Sequence, residues 1–305
     1  MYWRELCPAD IHKPGIYGNF DFVEPSANVV IKEITQKILK HPFTQDIQVF
    51  FASTAEGFNP GERPAVGFHQ GARIVIDKQI AEARAAEDEP EEYAPGWYSD
   101  VTDRKRAFAA AVVLDTVSTV AHEVSHAILD KLKETLDPAE YKALTRKVLD
   151  IDTKFRWRVI DSFAAYFSPK NSGLQNADVA YLAGDPKECA EVYGNDADLA
   201  ERCSGEFLAE MGSLVFIKKL KPADIPKPYQ HLMQFMARDI KSGMTRFQKL
   251  LYRAKEQPNQ KEHAQRVRDI LETLDWAINK NCEASQKPDW LKSATKVPTV
   301  SPGLA

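Results

Sequence analysis

The sequence predicts an α+β protein dominated by helices, on three observations. Residues 104–135 contain neither Gly nor Pro and are almost wholly apolar over 107–114, the pattern of a long helix buried over its middle. Two short apolar runs with β-branched residues, 47–52 and 72–77, precede it and read as strands. After residue 135 the periodic segments all have helical spacing, so the order is a short strand-bearing region followed by helices throughout.

Taken in order, a first helix falls near 27–40 and a strand at 47–52. The Gly- and Pro-rich stretch 57–64 is a loop. Residues 65–68 and 72–77, joined by the turn His69-Gln70-Gly71, form a hairpin or two adjacent strands. The acidic segment 82–92 is a solvated helix end and loop. After the long helix, Asp137-Pro138 opens a second one that runs to about residue 150, and 155–167 is a third, closed by Ser168-Pro169. A loop-rich section with Gly173, Gly184-Asp185-Pro186 and Gly194 leads to a helix over 206–219. The Pro-rich link 222–228 is followed by helices over 229–256 and 260–281, and a polar tail with three prolines from Ser285 is expected to be disordered. Residues 1–221 therefore form one unit (strand-bearing over 1–100, helical over 101–221), residues 222–284 a helical pair, and 285–305 a tail.

A formal net charge of −4 gives no footprint for a polyanion, so nucleic acid is not an expected partner. No stretch approaches 18 consecutive apolar residues, so no membrane span is expected. The first residues, Met1-Tyr2-Trp3-Arg4-Glu5-Leu6-Cys7-Pro8, lack the basic start and apolar run of a signal peptide, which leaves synthesis in the cytoplasm, trimming, or export by another route. Cys7, Cys189, Cys203 and Cys282 form no CxxC pair, which argues against a cysteine-based zinc site. Cys189 and Cys203 flank a short polar stretch and are expected either to staple it in an oxidising compartment or to stay free thiols in a reducing one.

Chemistry concentrates in His122-Glu123-Val124-Ser125-His126, inside the long helix. Positions i and i+4 differ by about 400° of helical rotation, so both imidazoles leave one face a single turn apart. That spacing lets two Nε2 atoms reach one tetrahedral zinc, while Glu123 is placed to act on a water held by the metal as general base and then acid. The flanks 119–121 and 127–129 are mostly apolar, so the motif is buried, where two histidines and a glutamate without a partner would be costly. A catalytic zinc needs a third protein ligand, and no HxxGxxH follows His126. The third ligand is therefore expected from an acidic residue on a later helix: Glu206 in Glu206-Phe207-Leu208-Ala209-Glu210, or Asp161, with Glu140 at a solvated helix start the weakest candidate. Glu210 and Asp130 each lie one turn beyond a proposed ligand and are candidates to accept a hydrogen bond from a ligand imidazole. His12, His41, His69, His231 and His263 have no metal-ligand spacing and read as surface or turn residues.

These motifs resemble the gluzincin metallopeptidases, in which a glutamate on a downstream helix completes an HExxH site. Glu206-Phe207-Leu208-Ala209-Glu210 is similar to the corresponding segment of the lethal-factor and Mlc titration factor peptidases. The resemblance implies zinc held by His122, His126 and Glu206, with Glu123 as catalytic base. It also implies a tyrosine that steadies the oxyanion, for which Tyr193, in Tyr193-Gly194 and 13 residues before Glu206, and Tyr166 are the two candidates. A zincin-like catalytic domain over 1–221 is implied as well, with a short sheet before the active-site helix and an edge strand, here 72–77, that pairs with extended substrate. The expected function is thus a zinc-dependent endopeptidase acting on a protein or peptide substrate. Two settings fit: a toxin or effector, secreted or injected without a signal peptide and opposed by an unidentified inhibitor or immunity partner, or a cytosolic housekeeping peptidase. The alternatives are a helical binding or scaffold protein with a vestigial motif, and a zinc hydrolase acting on peptidoglycan.

Overall fold

The structure is a computed structural model that describes residues 13–18, 22, 25–52, 67–78, 101–164, 176–195 and 197–294. It is helix-dominated, with one small mixed sheet near the N-terminus. The strands are β1 (Gly15–Gly18), β2 (Gln48–Ala52), β3 (Gly67–Gln70) and β4 (Arg73–Asp77), in the spatial order β1-β2-β4-β3. Strands β1, β2 and β4 are parallel, with Val49 opposite both Ile16 and Ile74. Strand β3 is antiparallel to β4 and forms the edge, with Phe68 opposite Val75. The strand expected at the edge, 72–77, is therefore interior, paired on both sides, and its partner β3 takes the edge instead. The two-residue connection that turns β3 into β4 begins at Gly71, whose φ of 59° is in the left-handed region, and His69 and Gln70 belong to the strand rather than to the turn. Strand β1, four residues bounded by glycines, gave no periodic signal of its own.

The described residues form ten α-helices. Helix α1 (Pro25–Ile38) connects β1 to β2, and α2 (Val101–Thr135) is the long helix. Next come α3 (Pro138–Leu149), α4 (Thr153–Ala164), α5 (Asn176–Leu182), α6 (Pro186–Tyr193) and α7 (Leu199–Ile217). The last three are α8 (Leu232–Lys255), α9 (Pro258–Asn279) and α10 (Asp289–Ser293). Helix α2 is the axis of the molecule. Val113, Val117, Val120, Ala121, Val124 and Leu132 are all fully buried, in one core cluster with Ile74 and Ile76 of the sheet and Phe207, Met211 and Val215 of α7. Each such aliphatic or aromatic side chain contributes roughly 1.5–3 kcal/mol on burial. The stretch from Lys105 to Thr135 is long and apolar enough to cross a membrane, and 72% of its most apolar window is buried inside the protein, as in a core helix.

Contact between α2 and α7 is close enough to require a missing side chain. A Cβ on Gly212 would fall 2.4 Å from Ser125 Oγ, so glycine there lets the two helices approach at the turn that carries His122 and His126. Helix α7 begins at Leu199, a full turn and more before the start expected at Glu206. Gly205, one residue before the expected start, is inside the helix; its cost of about 1 kcal/mol relative to alanine is offset by burial of Cys203 and Phe207 on either side. Part of the section expected to be loops is instead the helices α5 and α6, the latter capped by Asp185, which accepts a hydrogen bond from Lys187 N at 2.9 Å and is followed by Pro186 at the first helical position.

The helical pair α8–α9 packs on the same core as α2 and α7. The expected disorder from Ser285 does not hold over 285–294, because α10 is anchored by buried Leu291, by Trp290 donating to Asp269 O at 3.1 Å, and by the Lys147 ammonium 4.3 Å from the Trp290 ring. Residues 295–305 lie outside the described residues, as do the loop 57–64, the acidic segment 82–92, Ser168-Pro169, Gly173, Cys7 and His12. Glu140 is not solvated either: it is buried, closes a capping box with Asp137, and pairs with Lys287.

His41, expected at the surface, is buried where the end of α1 meets α9. Its Nε2 donates to Ala277 O at 3.1 Å, and its Nδ1 accepts from Phe43 N at 3.1 Å, so the ring is neutral and both nitrogens are satisfied. Burial lowers its pKa, against the opposing hydrogen bond to Ala277. An unfolded histidine takes up its proton near pH 6.5, whereas the folded ring resists until lower pH. The unfolded state thus binds more protons in that interval, and stability falls as the pH drops below about 6.5. Denaturant titrations at about pH 7.5 and 5.5 check this: His41→Gln is expected to narrow the acid-side loss, and an equal loss in both proteins contradicts it.

Candidate metal centre

His122 and His126 leave α2 on the face turned toward α7, one turn apart, and α7 brings Glu206 to meet them. Their metal-binding atoms all lie within 4.8 Å of one another. The Nε2 atoms of His122 and His126 are 3.1 Å apart, His122 Nε2 is 3.3 Å from Glu206 Oε2, and His126 Nε2 is 3.6 Å from Glu206 Oε1. Ligands at about 2.0–2.1 Å from a tetrahedral ion stand about 3.3–3.4 Å from each other, and the two nitrogens, with the Glu206 carboxylate presenting one oxygen to each, lie close to that spacing.

The protonation pattern points the same way. His122 Nδ1 donates to Glu210 Oε2 at 2.9 Å, which turns Nε2 toward Glu206 and His126, where a metal ion could replace its proton. Glu123, Glu206 and Glu210 are 8%, 2% and 5% exposed, so three carboxylates converge in a space that excludes water. Such a set requires positive charge. Accordingly, burial works against protonation of His122, yet hydrogen bonds to Glu206 and Glu210 raise its pKa well above the ordinary histidine value. Burial would raise the Glu206 carboxyl, but His126 and the hydrogen bonds from both imidazoles hold it far below the usual range. A divalent cation bonded to the Nε2 atoms and Glu206 would supply the same charge without protons.

Glu123 is placed beside the cluster rather than in it. Burial raises its pKa, partly opposed by His122 and His126. Edge strand β3 passes directly over it: a Cβ on Gly67 would fall 2.6 Å from Thr119 Cγ2 and 2.9 Å from Glu123 Oε1. Glycine at 67 therefore sets how near the edge of the sheet can come to this carboxylate. His69, two residues along the strand, stacks on His126 with ring centroids 6.1 Å apart and 8° between planes. His126 itself is the most open of the three, with 22% of its side chain exposed.

Tyr193 ends α6 and donates its hydroxyl hydrogen bond to Glu206 Oε1. Its oxygen is 2.7 Å from the hydroxyl of Tyr181 on α5, which extends the chain of polar contacts to Tyr181-Tyr193-Glu206. Burial raises the pKa of both phenols, and the Glu206 charge adds to it, so both stay protonated as hydrogen-bond donors. Tyr181 carries no signal in the sequence; it lies in the section expected to be rich in loops. The alternative Tyr166 falls outside the described residues. Asp161 does not join the cluster; it is exposed on α4, whose buried face of Val159, Ile160 and Phe163 turns the carboxylate outward. Glu140 is held by Lys287. Of the two candidates for orienting an imidazole, Glu210 does so for His122, while Asp130 is exposed and lies within electrostatic range of His69.

No protein family, no curated protein and no solved structure matches this chain significantly.

Proposed function

We propose that the chain is a zinc-dependent endopeptidase of the gluzincin type, with zinc on His122, His126 and Glu206. The observation that carries this reading is the convergence of both imidazole Nε2 atoms and the Glu206 carboxylate, ligand atoms within 4.8 Å of one another, with the Glu123 carboxylate beside them. Donors of two imidazoles and one carboxylate suit zinc, and a buried site with three protein ligands leaves the fourth position for chemistry. Zinc there would supply Lewis-acid polarisation of a water and of the scissile carbonyl. The protein's own groups do the rest. Glu123 takes the proton of the attacking water and returns it to the leaving amine nitrogen. Tyr193, whose hydroxyl rests on Glu206 Oε1 with Tyr181 against it, would steady the oxygen that gains negative charge by turning that hydroxyl from Glu206 to the substrate.

The sheet ahead of the HExxH helix supports a zincin-like fold. Edge strand β3, antiparallel to its neighbour and passing beside Glu123, is positioned to take an extended peptide by strand addition, which reads substrate through backbone hydrogen bonds. Cleavage of an unfolded protein such as casein is therefore expected, abolished by a strong zinc chelator and restored by adding zinc back. Undiminished cleavage after complete metal removal would exclude the mechanism.

A further inference from the structure

Cys189 and Cys203 meet where α6 lies against the second turn of α7. They are 0% and 1% exposed, and their thiols are in hydrogen-bonding contact. The backbone around them is packed tightly: Cys189 Sγ lies 3.9 Å from Tyr181 O, and a Cβ on Gly184 would fall 2.2 Å from Cys203 O. Arg156 faces the pair, its guanidinium within electrostatic range of both sulfurs and hydrogen-bonded to Val148 O at 2.9 Å and Gly184 O at 3.2 Å. The two thiols are unequal. Burial raises both, but Arg156 and the Cys189 hydrogen bond oppose the rise at Cys203, whereas the contact with Cys203 pushes Cys189 higher still.

We propose that Cys189 and Cys203 are a reversible dithiol–disulfide pair whose oxidised form clamps α6 to α7. The clamp bears on the metal centre because Tyr193 lies four residues after Cys189 and Glu206 three residues after Cys203, one turn along each helix. The link therefore ties together the two elements whose ends meet in the Tyr193–Glu206 hydrogen bond. This effect on the site rests on the metal-centre reading above; the cross-link itself does not.

The oxidant is a small-molecule disulfide such as oxidised glutathione. Cys203, as thiolate, attacks one of its sulfurs and expels a glutathione thiolate, which takes up the proton that Cys203 released. Cys189 then loses its proton and attacks the mixed disulfide at Cys203, and the second glutathione leaves and takes that proton. Two protein thiols are oxidised to one disulfide, and one small disulfide is reduced to two thiols. Access requires α6 to lift, a local opening suited to an eight-residue helix bounded by Gly184 and Gly194.

The test uses the full chain equilibrated with oxidised glutathione, then alkylated, digested and mapped by mass spectrometry. A Cys189–Cys203 cross-linked peptide is expected, together with a rise in thermal midpoint of about 5 °C that a reducing agent reverses. Cys203→Ser is expected to lose the reversible rise. In protein that holds zinc, release to a chelator should slow at least about threefold on oxidation. If Cys189 and Cys203 stay alkylatable while Cys282 alone is modified, the pair is not a redox unit. If the cross-link forms but zinc release is unchanged, the clamp does not reach the site. The mapping and the thermal shift report on the cross-link even if the chain binds no zinc, so failure of the peptidase reading leaves them intact.

Discussion

Replacing Glu123 with Gln is expected to leave zinc at one per chain and to lower turnover about 10²–10⁴-fold, the range that a positioned proton carrier supplies. That loss is about 3–5 kcal/mol of barrier. Glutamine keeps the size that the Thr119 and Gly67 surroundings accommodate, so the effect isolates the proton. It also removes a carboxylate whose ionised form is disfavoured by burial, and stability should not fall. Metal analysis beside turnover of a sensitive peptide substrate reads both halves. Wild-type turnover in the variant would mean that Glu123 moves no proton.

The second large effect is on the metal. Glu206→Ala removes the proposed anionic ligand and leaves the Tyr193 hydroxyl without its acceptor, in a place 2% exposed to solvent. Glu210→Ala removes only the acceptor that orients His122, a loss that in metal sites costs about 10–100-fold in affinity. Glu206→Ala is expected to exceed that range, and Asp161→Ala, on the exposed face of α4, to leave affinity unchanged. Competition against a chromophoric zinc chelator ranks the three variants. If Asp161→Ala weakens binding more than Glu206→Ala, the assignment of the third ligand is wrong.

Helical periodicity made α2 legible, and the i, i+4 spacing alone placed His122 and His126 on one face. The convergence of Glu206 with them is a long-range event that no local pattern contains; the need for an acidic third ligand narrows it to Glu206, Asp161 and Glu140, and the motif resemblance favours Glu206. Other features were hidden for identifiable reasons. Asp185-Pro186 is the same N-cap and first-position pair as Asp137-Pro138, yet Gly184 and the shortness of α6 made it look like loop. The first two turns of α7 contain Gly205, a poor helix former, and burial of its neighbours overrides that propensity. The choice of edge strand was not local either: 67–70 and 72–77 are both short, and only the pairing of β4 with β2 on one side and β3 on the other settles which is outermost. Tyr181 and the stacking of His69 on His126 depend on which elements meet, and neither residue carries a spacing that announces it.

The most direct measurement is X-ray absorption at the zinc edge on purified, full-length protein, with metal content determined on the same sample. One zinc per chain is expected, surrounded by nitrogen and oxygen neighbours at about 2.0–2.2 Å with the outer-shell signature of two imidazoles, and lost in His122→Ala. A sample without stoichiometric metal, or a first shell containing sulfur at about 2.3 Å, would contradict a centre built from His122, His126 and Glu206.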